Sequence, residues 1–192
     1  MVSRTRQGWE VKALTMANLK FLFPQAPKEN LAPFTTGMKL IKRFDINTQL
    51  RYNMFMAQLA HESGGFRYMV EQRSRISAER KYGYKTRVGE ILGNTNPGDG
   101  STYLARGMIQ LTGKWNYRYY GKLLELPLRK EPWLAEVPMN ALEIALNFWD
   151  VRKCNDFADQ GLFEAITLKI NGGMNGQKDR ERWLEKIDRL LM

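Results

Sequence analysis

One cysteine and one histidine in 192 residues remove several kinds of protein at once. Cys154 alone cannot close an intramolecular disulfide. His61 alone cannot supply the imidazoles of a histidine-rich zinc centre, so neither a metal nor a cofactor is expected. No run approaches the roughly 18 apolar residues that a bilayer span requires. The opening MVSRTRQGWEVKALTMANLKFLF contains no apolar stretch ending in small cleavage residues. The expectation is a protein with no export signal that does not insert into a membrane. Negative charge is the scarcer sign: 20 Asp and Glu stand against 30 Lys and Arg, a formal net charge of +10. Any catalysis has to rest on carboxylates, hydroxyls or amides.

What is present suits one compact domain over residues 1–192. A domain usually takes about 100–200 residues, and 43% hydrophobic with 11% aromatic content supplies a core. Lys and Arg are spread along the chain with no continuous basic tail, which describes a charged face rather than an arm. Such a face is drawn to polyanions: nucleic acid, anionic membrane surfaces, or the acid-bearing bacterial wall. Charge alone does not choose among them.

Hydrophobic spacing predicts a first helix over 9–23, broken by the Pro24 to Pro33 stretch. A second follows over 34–44, with Thr35 or Thr36 as its N-cap. Residues 1–45 are read as helices packing on the core. The most hydrophobic helix runs through TQLRYNMFMAQLAHESGG and stops at Gly64-Gly65. Residues 66–105, with the cluster GNTNPGDGS, read as irregular structure with a short hairpin and little helix. Helical patterns resume over 113–124, 138–152, 161–169 and 180–191.

Four segments can carry chemistry. Glu62 in AHESGGF sits in the last turn of an apolar helix, where the dipole disfavours a carboxylate. Burial against Phe66 and Tyr68 would add to that effect, and both favour the protonated acid that protonates a leaving oxygen in glycoside hydrolysis. Glu71, nine residues on in FRYMVEQRS, is a second acid, as are Glu79 and Glu90 in the same lobe. An inverting glycosidase needs an acid and a base about 6.5–9.5 Å apart with water between. In RGMIQLTGKWNY, strand-like alternation places Gln110 and Thr112 on one face, with Asn116 a helical turn beyond Thr112. In INGGMNGQKDRERW, Asn171 precedes a Gly-Gly turn that can present its side chain. Tyr103, Phe66, Tyr68, Trp115 and Tyr117 lie near these motifs and can stack on sugar faces, although most suit a core equally well.

In combination, AHESGGF, the glutamate nine residues later, GDGSTYLARG, GMIQLTGKWNY and INGGMNG resemble the glycoside hydrolase family 19 chitinases, and more narrowly the compact phage endolysins of that family. The motifs occur in family order across about residues 50–185. The resemblance implies a mainly α, lysozyme-like (chitinase-type) fold with a small irregular or hairpin lobe lining the cleft. It also implies Glu62 as general acid, Glu71 as general base, and Gln110, Thr112, Asn116 and Asn171 at positions that hold sugar or water; Tyr103 is added as a substrate-binding candidate for its ring alone. Arg180, or else Arg182, would pair with one of the acids. Two departures stand out: Ala105 replaces a glycine found in many relatives, and the disulfides of plant members are missing. The implied partner is the peptidoglycan glycan strand, met by a monomer that waits in the bacterial cytoplasm for release by a separate holin-type protein. A chitinase, or a non-catalytic binder of wall or nucleic acid, is the alternative.

Overall fold

The computed structural model describes residue 11 and residues 14–191. Most of the segment before Thr15 lies outside the described residues, although Val11 and Leu14 are buried in the core. The first helix is shorter than predicted: α1 (Met16–Leu22) starts at Thr15, which accepts from Asn18 N while the Asn18 side chain accepts from Thr15 N. That reciprocal cap fixes the start more firmly than hydrophobic spacing does. The Pro24 to Pro33 stretch, expected to be a loop, contains α2 (Lys28–Leu31) and runs into α3 (Pro33–Thr36). The latter opens on a proline whose fixed φ suits a first helical turn. α4 (Met38–Arg43) is entered from Gly37. Thr35 and Thr36, the predicted caps, instead bond through their hydroxyls back to Ala32 O within α3.

The central element is α5 (Gln49–Glu62), begun by Thr48, whose hydroxyl accepts from Arg51 N, and buried at every position from Tyr52 to Ala60. Enclosed on all sides, it buries even the amides of Asn53 and Gln58. Burying each of Met54, Phe55, Met56 and Leu59 contributes about 1.5–3 kcal/mol. After Glu62 the chain turns through Gly64 and Gly65, both at positive φ, and Gly65 N bonds to Ala60 O at 2.6 Å. Phe66 also takes positive φ (59°). Its ring, buried edge-on to Phe23 and Phe34, compensates for a conformation that L-residues avoid.

The lobe departs most from expectation. It holds three short helices, α6 (Arg75–Tyr82), α7 (Arg87–Ile91) and α8 (Asp99–Thr102), beside bridges pairing Val70 with Arg106 and Arg106 with Leu111. α6 buries only Ala78 and Tyr82, so no amphipathic period marks it in the sequence. Its stability comes from the Ser74 cap, from packing on α8, and from a small second core of Ala78, Tyr82 and Leu104. Gly100 permits that packing, since a Cβ there would lie 2.8 Å from Gly83 N.

α9 (Lys114–Leu123) and α10 (Pro138–Val151) match the predicted segments closely, with an unpredicted 3₁₀ turn (Pro132–Glu136) between them. After these come α11 (Cys154–Asp159), which was not predicted, α12 (Phe163–Asn171) and α13 (Gln177–Leu191). α13 and α11 pack on α5, α12 on α11, and α1 on α13, so the central helix is enclosed and the chain leaves its C-terminal end through the glycine turn into the lobe. No helix among the described residues is long and apolar enough to cross a membrane.

Candidate active site

Glu62 ends the most buried helix of the molecule, so its backbone is held by the core. Its side chain, 18% exposed, meets Arg180 of α13, with Nη2 2.5 Å from Glu62 Oε1. Arg180 is 1% exposed and spends its other donors inside the protein: Nη1 reaches Gln58 Oε1 at 2.5 Å and Nε faces Asn175 O at 3.5 Å. Gln58 in turn donates to Thr167 Oγ1 at 2.9 Å, and Thr167 to Phe163 O. Gln58 and Glu62 stand one helical turn apart on the same face of α5, so one planar guanidinium grips both. Three helices, α5, α12 and α13, are tied together under the carboxylate.

This environment differs from the expected one. Phe66 is withdrawn into the core, and Tyr68 is partly exposed beneath the Arg67 guanidinium. The neighbour of Glu62 is a buried cation, not an apolar wall. Of the two arginines left open by the sequence, Arg180 makes the contact. Arg182 is largely exposed and lies 3.8 Å from Asp179. Asp179 also holds the preceding residue, His61, with Nδ1 to Oδ2 at 2.8 Å.

Glu71 lies on the extended segment after the glycine turn, where its N–H bonds to Ala105 O and Gly107 N to Met69 O. The Tyr82 hydroxyl faces both carboxylate oxygens at 3.1 and 3.0 Å, Arg73 Nε donates to Oε1 at 2.9 Å, and Lys81 Nζ stands at 3.8 Å. The Glu71 contact raises the Arg73 guanidinium above its ordinary range. Glu79, the other nearby acid, accepts instead from Ser101 N, a structural bond between α6 and α8. The structure therefore gives Glu71, rather than Glu79, a dedicated polar setting.

The RGMIQLTG segment meets the extended segment that carries Glu71 through the isolated bridge of Arg106 to Val70, and closes on itself through Arg106 and Leu111. The predicted alternation fails within it. Gln110 adopts φ 55°, a left-handed residue that interrupts the strand, and its amide donates to Gly107 O. Thr112 Oγ1 donates to Gln110 O, and Asn116 Nδ2 to Thr112 O. These side chains thus rigidify a turn while remaining partly exposed. Asn171 closes α12 one turn beyond Thr167, exposed, with Nδ2 on Gly173 O. Tyr103 is in the core instead of at the surface: its ring is buried against Tyr117 and its hydroxyl donates to Arg129 O, which withdraws it from stacking on a ligand. Phe66 and Tyr117 are buried as well, whereas Tyr68 and Trp115 are exposed.

Sequence reasoning missed the supporting residues. Gln58 was findable as the i−4 neighbour of Glu62, and Arg73 as the i+2 neighbour of Glu71 on an extended segment. Tyr82 and Thr167 carry no local signal. Among the described residues no three of His, Cys, Asp and Glu gather as a metal site.

No family model matches the chain. Individual relatives do. It is 31% identical over 184 residues to a glycosyl hydrolase family 19 domain-containing protein of Haemophilus influenzae, covering 83% of this chain and 88% of that protein. The chain belongs to glycosyl hydrolase family 19. This family 19 protein is also 38% identical over 125 residues to an endochitinase of Arabidopsis thaliana, spanning 64% of its own length but 40% of the plant protein. Among solved structures it resembles chitinase C from Streptomyces griseus, with a TM-score of 0.74 at 20% identity over 93% of this chain and 76% of that one. It also resembles a bacterial family 19 chitinase, with a TM-score of 0.62 at 21% identity over 92% and 95% of the two chains. The fold is the mainly α, lysozyme-like chitinase type, and the protein is a glycoside hydrolase.

Proposed function

We propose that this family 19 hydrolase is an endolysin that cuts β-1,4 bonds of bacterial peptidoglycan by a single inverting displacement. The observation that carries the reading is the pair of differently held carboxylates on adjoining segments. Glu62 is gripped from below by a buried guanidinium, and Glu71 is held by Tyr82 and Arg73 beside the Gln110 to Asn116 turn. Glu62, ion-paired with Arg180 at rest, takes up a proton from solvent and gives it to the bridging oxygen as the bond from that oxygen to the anomeric carbon breaks. Glu71 takes a proton from a water whose oxygen bonds to the anomeric carbon from the opposite face. One water is consumed, Glu71 returns its proton to solvent, and Glu62 takes up another for the next turnover. Arg180 keeps the Glu62 carboxyl in place throughout and stabilises the carboxylate left after transfer. Thr112, Asn116, Gln110 and Asn171 present hydroxyl and amide groups to the glycan.

Charge favours peptidoglycan over chitin. A neutral chitin chain gains nothing from a +10 protein, whereas stem-peptide carboxylates on the glycan are attracted to it. In this reading the protein acts as a monomer, is held in the bacterial cytoplasm, and reaches the periplasmic wall when a holin-type protein opens the membrane. A second reading, a chitinase, is supported by the names of the plant and Streptomyces relatives.

The test compares purified murein sacculi with chitooligosaccharides. Faster turnover of sacculi, new reducing ends by mass spectrometry and an inverted anomer by NMR are expected. Glu62→Gln should lower the rate by about 10²–10⁴, the usual contribution of a general acid. A variant at wild-type rate refutes the assignment of Glu62, and preferential turnover of chitooligosaccharides refutes the substrate.

A further inference from the structure

α9 turns one side toward the candidate site, through Asn116 bonded to Thr112, and leaves another side uncovered. On that open side Trp115, Tyr119 and Leu123, spaced at i, i+4 and i+8, are 64%, 49% and 46% exposed. Beside them run Arg118 and Lys122, also exposed. Together these five residues line a groove of about 590 Å³. A second groove of about 460 Å³ shares Arg118 and Lys122 and continues to Arg129 and Lys130. Trp115 is a firm platform: its indole lies over Gly93, where a Cβ would come within 2.2 Å of the ring.

The four cations Arg118, Lys122, Arg129 and Lys130 form no ion pair among the described residues. Glu125 and Glu131, the two acids of the same stretch, make no ion pair with them among the described residues, and four cations against two acids leave the stretch at +2. By contrast, Lys114 on the same helix bonds Asp99 at 2.9 Å, and Arg106 bonds Glu136 at 2.7 Å. A row of unpaired cations next to exposed aromatic faces matches a ligand that alternates carboxylates with pyranose rings. The cations take the carboxylates through charge-assisted bonds, and the aromatic faces take the C–H faces of the sugars.

We propose that the outer face of α9 and the loop after it form a docking surface for the acidic glycan strands of peptidoglycan, distinct from the Glu62 and Glu71 centre. This rests on the peptidoglycan reading above. Because α9 contributes to both, a strand docked on its outer face is held close to the turn that carries Gln110 and Thr112. The surface raises the local concentration of long substrate and plays no part in bond cleavage.

The test uses Glu62→Gln protein, so that binding is read without turnover, and co-sedimentation with purified sacculi over a salt series. Replacing Arg118, Lys122, Arg129 and Lys130 together by Gln should weaken binding at least tenfold and flatten its salt dependence. Tyr119→Ser should weaken it about threefold to tenfold at all salt concentrations. In the otherwise wild-type enzyme, the fourfold variant should cleave short soluble glycan fragments within twofold of the wild-type rate. All five side chains are exposed, and thermal melting confirms that the variants fold. Unchanged binding of the fourfold variant to sacculi overturns the proposal. So does tighter binding of the parent protein to anionic phosphatidylglycerol vesicles or to duplex DNA than to sacculi, or a parallel loss of turnover on short fragments. Binding lost in the fourfold variant, with no cleavage of sacculi by the wild-type enzyme, instead overturns the substrate reading and upholds the docking surface.

Discussion

Replacing Arg180 by Met removes the guanidinium while keeping the apolar bulk of the side chain. Arg180 is almost wholly buried and donates to Glu62 Oε1 and Gln58 Oε1, both at 2.5 Å. Breaking a buried ion pair from one side typically costs about 3–5 kcal/mol. The 18% exposure of the Glu62 side chain lets water relieve part of this, which places the ionic contribution near the low end. Gln58 is fully buried, so its orphaned carbonyl adds about 1–3 kcal/mol. Because one residue supplies both contacts the two do not simply sum, and about 4 kcal/mol is expected. At about 2–4 °C per kcal/mol for a chain of this size, Tm should fall by roughly 8–16 °C. A double-mutant cycle with Glu62→Gln, followed by urea unfolding at 25 °C, isolates the pair: once the carboxylate is neutral, losing its partner matters less, and a coupling of about 1–3 kcal/mol should appear. Arg182→Met, at an exposed position, should change stability by less than about 0.5 kcal/mol. Additive effects within about 0.5 kcal/mol, or an Arg180→Met variant melting as wild type, would show that the ion pair does not hold the end of α5.

Three further outcomes are expected. Gly176→Ala puts a Cβ at φ 75° and 2.2 Å from the His61 ring, which Asp179 holds at 2.8 Å. Left-handed strain of about 1–2 kcal/mol and a lost bond worth about 1 kcal/mol should lower Tm by roughly 4–12 °C, and an unchanged Tm refutes the clash. Cys154 is fully buried, and burial pushes its thiol up to about 12. A disulfide reagent at pH 8 should therefore label the protein only in denaturant, and rapid native labelling would contradict this packing. Burial raises the Asp188 carboxyl above its ordinary 3.8, opposed by the Asn53 amide. Its contribution to stability is therefore full below 3.8 and is lost as pH rises through the higher folded value. Asp188→Asn should remove that component and gain stability relative to wild type at pH 7 compared with pH 3.5. Solvent screening at this half-exposed site limits the gain to about 0.5 kcal/mol. A difference that does not change between the two pH values refutes it.

The parts of the fold that sequence made legible are those whose signals are local. α5 announces itself by composition, by the Thr48 cap and by the paired glycines after Glu62. α10 and α13 show clear apolar periods. α6 does not, because it is polar almost throughout and owes its existence to Tyr82 and Gly100 packing across the lobe. The alternation of Gln110 and Thr112 misleads because a left-handed residue resembles any other glutamine in a sequence. At the candidate site the two glutamates stand in legible motifs and Arg73 lies beside Glu71, whereas the other holders are beyond any local window: Arg180 is 118 residues from Glu62 and Tyr82 is 11 from Glu71. Such contacts depend on how helices come together, which no short window of sequence contains.

That long span between Glu62 and its guanidinium has a consequence for synthesis. The counter-ion of the acid is among the later residues translated, on a helix that must dock along α5 before Arg180 reaches its place. A nascent chain that has emerged from the ribosome only as far as α12 exposes a glutamate with nothing beneath it. In the proposed reading, the acid gains its holder only once α13 has docked along α5.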